Sequence, residues 1–194
     1  MKPLFFKDKI LEYNSLLDMK ADVDTRIVDA SVGNSQGNLG IDYGVRSTKL
    51  KPDIHPDDYP EISTKLLDMV TLYDEKAIKE DFIVWEFNYL IYNKGDHFKR
   101  HRDDIRHPKI GYPRRILSTS TLISESEDFE GGELIVFNDD EGTEIDTELQ
   151  VGETVIFHSK YAPHQVNPVT KGIREVLVAW IYYKYDVHKY KNII

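Results

Sequence analysis

The chain has 194 residues, enough for one core and little more, and its 40% hydrophobic and 30% charged content is that of a folded globular protein. Its 25 basic against 34 acidic residues leave a formal charge of −9, which argues against binding duplex nucleic acid or an anionic membrane through a general positive surface. There is no cysteine, so disulfides, iron–sulfur clusters, thiolate zinc sites and cysteine nucleophiles are excluded, and any metal must be held by nitrogen and oxygen. The amino terminus returns to charge after Leu4-Phe5-Phe6, and no apolar run approaches the ~20 residues of a spanning helix; a soluble, cytoplasmic protein is the expectation.

In chain order, Ile10, Tyr13, Leu16 and Leu17 recur at helical spacing. From Ala30 to Asp58 turn formers dominate, with Ile41–Thr48 expected as a short strand between them. A second helix is predicted from Pro60 to about Lys79, since proline suits the first turn and Ile62, Leu66, Met69, Val70 and Tyr73 form one stripe. After Asp81 the period changes. Phe82–Tyr92, Arg115–Ser124, Glu133–Phe137, Glu153–His158 and Arg174–Tyr185 are strand-length runs rich in β-branched and aromatic residues, separated by Gly, Pro, Asp and Asn. Helices first and strands after predict an α+β fold with helices on one face of a β-sandwich, as a single domain over 1–194. The acidic runs Glu125–Glu130 and Asp139–Glu141 are expected as solvated strand connections.

Of the seven histidines, two stand two residues before an aspartate: His55-Pro-Asp57 and His101-Arg-Asp103. Residues i and i+2 of a strand share a face, which suits two ligands of one ion, but composition alone yields about 0.7 such pairs by chance. Pro56 disrupts strand pairing and demotes the first pair. The second follows a turn at Gly95, with Tyr92 and Phe98 as prospective walls. For a third ligand His158 and His164 compete. On the last strand Arg174, Val176, Val178 and Trp180 share a face, so Arg174 enters an apolar row. A buried guanidinium needs an anion; a protein carboxylate, a carboxylate ligand or water at a cavity mouth would each serve.

Tyr92-x2-Gly95-x2-Phe98-x2-His101-x-Asp103, then Leu122-Ile-Ser-Glu, Gly131-Gly132-Glu-Leu and His164-x3-Pro168-Val169-x2-Gly172-x-Arg174, resemble the prolyl 4-hydroxylase-like branch of the iron(II)- and 2-oxoglutarate-dependent dioxygenases. The resemblance covers about Phe82 to Tyr183 and implies a double-stranded β-helix, or jelly roll, with a catalytic core at about 82–185. It implies His101, Asp103 and His164 as metal ligands for Fe(2+), and Arg174 with Tyr92 at the distal carboxylate of 2-oxoglutarate. Trp180 falls where the family often has a Trp close to the metal. In relatives an Arg-x-Ser segment lines the substrate groove, and the resemblance offers Val45-Arg46-Ser47 as its counterpart, without the intervening residue, so Arg46 and Ser47 are candidate substrate contacts. Cofactors implied are Fe(2+), 2-oxoglutarate and O2, with ascorbate a further candidate. The implied reaction hydroxylates a prolyl residue of a protein or peptide and releases succinate and CO2; a free amino acid, a lysyl residue or a nucleobase are alternative substrates. A jelly-roll module that holds metal or a small acid without turnover is the reading from another class. His97 is expected as an exposed turn residue, and the 104–115 loop, with His107, as a connection or a lid over substrate.

Overall fold

The structure is a computed structural model that describes residues 3–22, 27–33, 39–51, 54–104 and 112–191. Strand β1 (Phe5–Lys9) leads into helix α1 (Tyr13–Asp22), and four short strands follow: β2 (Val28–Asp29), β3 (Val32–Gly33), β4 (Leu39–Gly40) and β5 (Lys49–Lys51). Helix α2 (Pro60–Tyr73) precedes the long strand β6 (Phe82–Asn93). Then come β7 (Phe98–His101), β8 (Leu117–Leu122), β9 (Phe129–Gly131), β10 (Leu134–Asn138) and β11 (Thr143–Asp146). The chain closes with β12 (Glu153–His158), β13 (His164–Val166), β14 (Val169–Tyr183) and helix α3 (Lys184–Lys191).

Two antiparallel sheets carry the fold. The larger is ordered β1-β12-β8-β14-β6-β5-β2, with β9 added beside β14; the smaller is β11-β10-β13-β7. Their facing sides share one core, in which Leu90, Leu122, Val155 and Val176 of the large sheet meet Leu134, Val136 and Val166 of the small one. The strand-rich second half predicts an antiparallel β-sandwich, and the family resemblance implies the jelly-roll arrangement seen here. The other face of the large sheet packs on α1 and α2, through Leu16, Met19, Leu66 and Met69 against Phe87, Tyr89, Leu177 and Ala179. Strand β14 serves both cores by strict alternation: Val176 and Val178 face one, Leu177, Ala179 and Ile181 the other. With both faces covered, the central strands read as nearly continuous apolar runs. No helix among the described residues is long and apolar enough to cross a membrane.

Several boundaries differ from the sequence expectation. Ile41–Thr48 is a turn rather than a strand: Val45 and Arg46 donate to the Asp42 carbonyl and Gly44 to its carboxylate (2.9 Å), leaving Arg46 as an isolated bridge partner of Phe98. Helix α2 stops at Tyr73, six residues early, because the Asp74 carboxylate accepts from the Lys76 N–H (3.2 Å) and closes a local turn that competes with helix. Strand β14 starts five residues before Arg174 through its pairing with β9, and it yields to α3 before Tyr185. Helix α3 is mostly polar and is held by Val187 and Tyr190, the latter edge-on to Trp85 at 5.8 Å between ring centroids.

Gly172 lies inside β14 at φ +70°, where a Cβ would stand 1.9 Å from the Asp128 carbonyl oxygen. Gly95, at φ +91°, faces open space. Gly172→Ala is therefore expected to cost about 1–3 kcal/mol more than Gly95→Ala, a fall of roughly 2–4 °C in melting temperature per kcal/mol. Thermal unfolding of the two variants side by side checks it.

Candidate active site

Strands β7 and β13 pair antiparallel with His101 directly opposite His164, their rings 4.2 Å apart between centroids. Asp103 does not continue β7 as strand parity implies. It sits in a bend pinned by the Ser159 carbonyl, which accepts from both the Asp103 and the Asp104 N–H (3.0 and 3.2 Å). That bend turns the carboxylate back toward the histidines. Oδ1 is 3.5 Å from His101 Nε2 and Oδ2 is 3.7 Å from His164 Nε2, and the three ligand atoms lie within 4.8 Å of one another.

The ring orientations are set locally. His101 Nδ1 is 2.8 Å from the Lys99 carbonyl and His164 Nδ1 is 3.1 Å from the Ala162 carbonyl. A carbonyl only accepts, so each Nδ1 carries the proton and each Nε2 presents its lone pair to the cluster. Phe98 stacks on His101 at 3.5 Å, and Phe157 packs on His164 at 4.6 Å. Burial pushes the His164 imidazole down to about 4, helped by the neighbouring His101, while Asp103 opposes the shift. Burial works to raise Asp103, but His164, His101 and Arg115 outweigh it and hold the carboxyl well below its ordinary value. Trp180 donates Nε1–H to Asp103 Oδ2 (3.0 Å), and the Arg115 guanidinium lies over the indole at 3.6 Å. At neutral pH the His164 imidazole is thus neutral and Asp103 ionised. With His101 they form a two-nitrogen, one-oxygen donor set that suits a borderline divalent metal and leaves further coordination positions free.

The cluster opens into a cavity of about 300 Å³ between the sheets, whose walls include Arg46, Tyr92, Arg174, Val176, Val178 and Trp180. Arg174, the register partner of Tyr92, is only 2% exposed, and its Nη1 has no hydrogen-bond partner among the described residues. Its guanidinium carbon is 5.5 Å from the Tyr92 ring centroid. Gly132 makes room for it: a Cβ there would be 2.8 Å from Arg174 Cδ. A buried guanidinium with an open donor fits a carboxylate ligand.

The remaining candidates separate clearly. His158 ends β12 with its ring 4.5 Å from Tyr161 and lies outside the cluster, which His164 joins. His55 and Asp57 are exposed around a 3₁₀ turn at Pro56–Asp58, also outside it. His97 is half-buried rather than exposed, its Nδ1 3.2 Å from Ser47 Oγ. That contact ties Ser47 to the turn, while Arg46 reaches the cavity and Ser47 does not line it. His107 and most of the 104–115 loop fall outside the described residues.

Sequence reasoning missed the half-buried ion pair of Glu86 with Arg115 (2.5 Å), on which Tyr112 (2.8 Å) and Tyr182 also converge through Glu86. Strand parity held the signal: Glu86, Asn88, Leu90 and Tyr92 alternate on the cavity face of β6, where a glutamate is out of place without a partner.

The sequence pattern of the 2OG-Fe(II) oxygenase superfamily matches residues 87–182, the stretch that supplies the cluster, Tyr92, Arg174 and Trp180. The chain belongs to the 2OG-Fe(II) oxygenase superfamily. It is 34% identical over 90 residues to a PKHD-type hydroxylase of Idiomarina loihiensis, a match covering 46% of this chain and 38% of that protein, and so spans well under two-thirds of that relative's length. In fold it is similar to a Pseudomonas putida prolyl-4-hydroxylase (TM-score 0.67, 22% identity, 93% of each chain). It is also similar to a Trichoplax adhaerens prolyl hydroxylase in complex with a hypoxia inducible factor peptide fragment (TM-score 0.66, 14% identity, 94% and 85% of the two chains). Members of this superfamily use Fe(2+), 2-oxoglutarate and O2.

Because His164 titrates at about 4 in the fold against 6.5 for a free imidazole, the unfolded chain takes up a proton between these values that the folded chain refuses. The metal-free oxygenase should therefore lose stability as pH falls from 6.5 toward 4, by at most about 3 kcal/mol from this group. His164→Gln should flatten that part of the slope, measured by urea unfolding across the window.

Proposed function

We propose that this chain is an Fe(II)- and 2-oxoglutarate-dependent dioxygenase that hydroxylates a prolyl residue of a protein or peptide. The observation that carries the reading is the meeting, in one cavity, of a buried His101–Asp103–His164 cluster and a buried guanidinium with an unmatched donor. His101, Asp103 and His164 would hold the iron. Arg174 would take the distal carboxylate of 2-oxoglutarate, with Tyr92 beside it. When bound, the ferrous ion supplies the activation of O2, one oxygen atom entering the succinate that 2-oxoglutarate becomes on losing CO2 and the other the substrate C–H bond.

The protein's own contribution is orientation and exclusion. Arg174 is fixed by its strand pairing and by the space above Gly132, so the cosubstrate meets an anchor already in place. The hydrogen bond from Trp180 holds one Asp103 oxygen and so fixes the carboxylate that, with His101 and His164, would hold the metal. Val176, Val178, Leu134 and Phe157 keep the walls apolar and would exclude stray water from the reacting groups. The prolyl assignment rests on the PKHD-type and prolyl-hydroxylase relatives, and the peptide-bound neighbour supports an extended substrate. Arg46, on the cavity wall, is the residue best placed to meet that substrate.

Anaerobic addition of Fe(II) and 2-oxoglutarate to the wild-type protein is expected to produce a weak visible charge-transfer band; folded protein without it would refute the reading. Asp103→Ala should lose both the band and succinate release. Arg174→Ala removes a charge-assisted contact and should raise KM for 2-oxoglutarate by about 10- to 100-fold, with a far smaller change for the primary substrate. Steady-state kinetics with each component varied in turn separates the two. Mass spectrometry of proline-rich peptides for the gain of one oxygen, coupled to succinate release, tests the prolyl assignment.

A further inference from the structure

Among the described residues, the cavity walls carry five charged side chains: the guanidiniums of Arg46, Arg115 and Arg174 and the carboxylates of Glu86 and Asp103. Three positive against two negative leaves one net positive charge. Loading the site does not remove it, because a ferrous ion brings two positive charges and 2-oxoglutarate two negative ones. The excess can be traced to one residue. Arg115 is neutralised by Glu86 at 2.5 Å. Asp103 and one cosubstrate carboxylate balance the metal, and the other cosubstrate carboxylate balances Arg174. Among the described residues this leaves Arg46, whose attraction to Asp103 is shared with the metal, without a counter-charge of its own.

Arg46 is placed for recognition rather than for structure. It is 8% exposed, and the turn at Asp42 and its bridge to Phe98 fix its backbone. Its Nη1 donates to the Ser31 carbonyl (3.2 Å), a neutral acceptor, and its Nε has no hydrogen-bond partner among the described residues. Its guanidinium lies over the Phe98 ring at 4.6 Å, and that ring stacks on His101. A group bound to Arg46 therefore sits on the His101 side of the cavity, beside the proposed metal. A buried guanidinium with an open donor is costly unless an anion meets it.

We infer that the primary substrate carries a carboxylate next to the C–H bond that is oxidised, and that Arg46 binds it. The inference rests on the oxygenase reading above and narrows its substrate class. The carboxylate comes either from a free chain terminus at the reacting residue or from an acidic side chain one residue away. A neutral prolyl peptide would leave the Arg46 charge unanswered.

The test uses the protein loaded with Mn(II) and 2-oxoglutarate, which bind without turnover. Two probe pairs are titrated: N-acetylproline against N-acetylprolinamide, for a terminal carboxylate, and acetyl-Pro-Glu-amide against acetyl-Pro-Gln-amide, for a side chain. Proton NMR broadening by Mn(II) reports both affinity and closeness to the metal. In one of the pairs the carboxylate form is expected to bind at least tenfold tighter than its neutral partner, and Arg46→Met should bring that ratio below threefold. Equal binding within both pairs by the wild-type protein overturns the inference without recourse to any variant. So does a preference that survives Arg46→Met. Loss of 2-oxoglutarate affinity in that variant, with no probe preference in the wild type, would assign Arg46 to the cosubstrate and overturn it as well. Failure of the oxygenase reading shows separately, as absence of the Fe(II)–2-oxoglutarate band.

Discussion

The site depends on one short strand pairing. β7 and β13 contribute four and three residues, yet their register sets His101 against His164 and so fixes two of the three candidate ligands. A slip of one residue would turn either histidine to the opposite face of the small sheet and leave no cluster. Such a short pair is stable only as part of something larger, and here β13 also pairs with β10, while Leu134, Val136 and Val166 tie the small sheet into the inter-sheet core. The ligand geometry is thereby a consequence of the apolar packing between sheets.

The same packing forces a strict accounting of charge. Asp103, Arg46 and Arg174 are all less than a tenth exposed, in a cavity whose other walls are largely aliphatic and aromatic. Charges in such a place are kept by partners or by ligands. Glu86 and Arg115 meet that demand within the protein, and Arg115 transmits the arrangement further by lying over Trp180, whose N–H holds Asp103. Among the described residues neither Arg46 nor Arg174 has a carboxylate in direct contact, and each keeps one buried nitrogen without a hydrogen bond. The division between satisfied and unsatisfied guanidiniums is what separates framework from binding site here.

Much of this was legible in the residues because β-strands alternate. The assignment of Arg174, Val176, Val178 and Trp180 to one face survives in the structure, and both cores follow from that parity along β14. Parity failed where the backbone leaves the strand. Asp103 joins His101 through a bend held by the Ser159 carbonyl, and no local pattern announces a hydrogen bond that spans more than fifty residues. Ile41–Thr48 reads as a strand because its apolar residues alternate, yet Asp42 captures the nearby amides and bends it. Strands β9 and β11 were invisible for a related reason: they lie in acidic stretches whose pairing is decided by neighbours and not by their own composition.

Strand β14 shows how one segment reconciles these demands. Its first part pairs with β9, and Gly172 allows the close approach to Asp128 that the crossing requires. Beyond that glycine it pairs with β6 and β8 on its two sides, so that its backbone is locked from Val176 to Ile181. Arg174 falls between the flexible requirement and the rigid one, late enough to be held in register with Tyr92 and early enough to reach the space over Gly132. A guanidinium placed by a central, doubly paired strand loses little further freedom when an anion arrives, whereas one on a loop would lose most of it. Arg46, delivered by a turn and a single bridge, has the looser support, which suits a contact that must admit and release a substrate at each turnover.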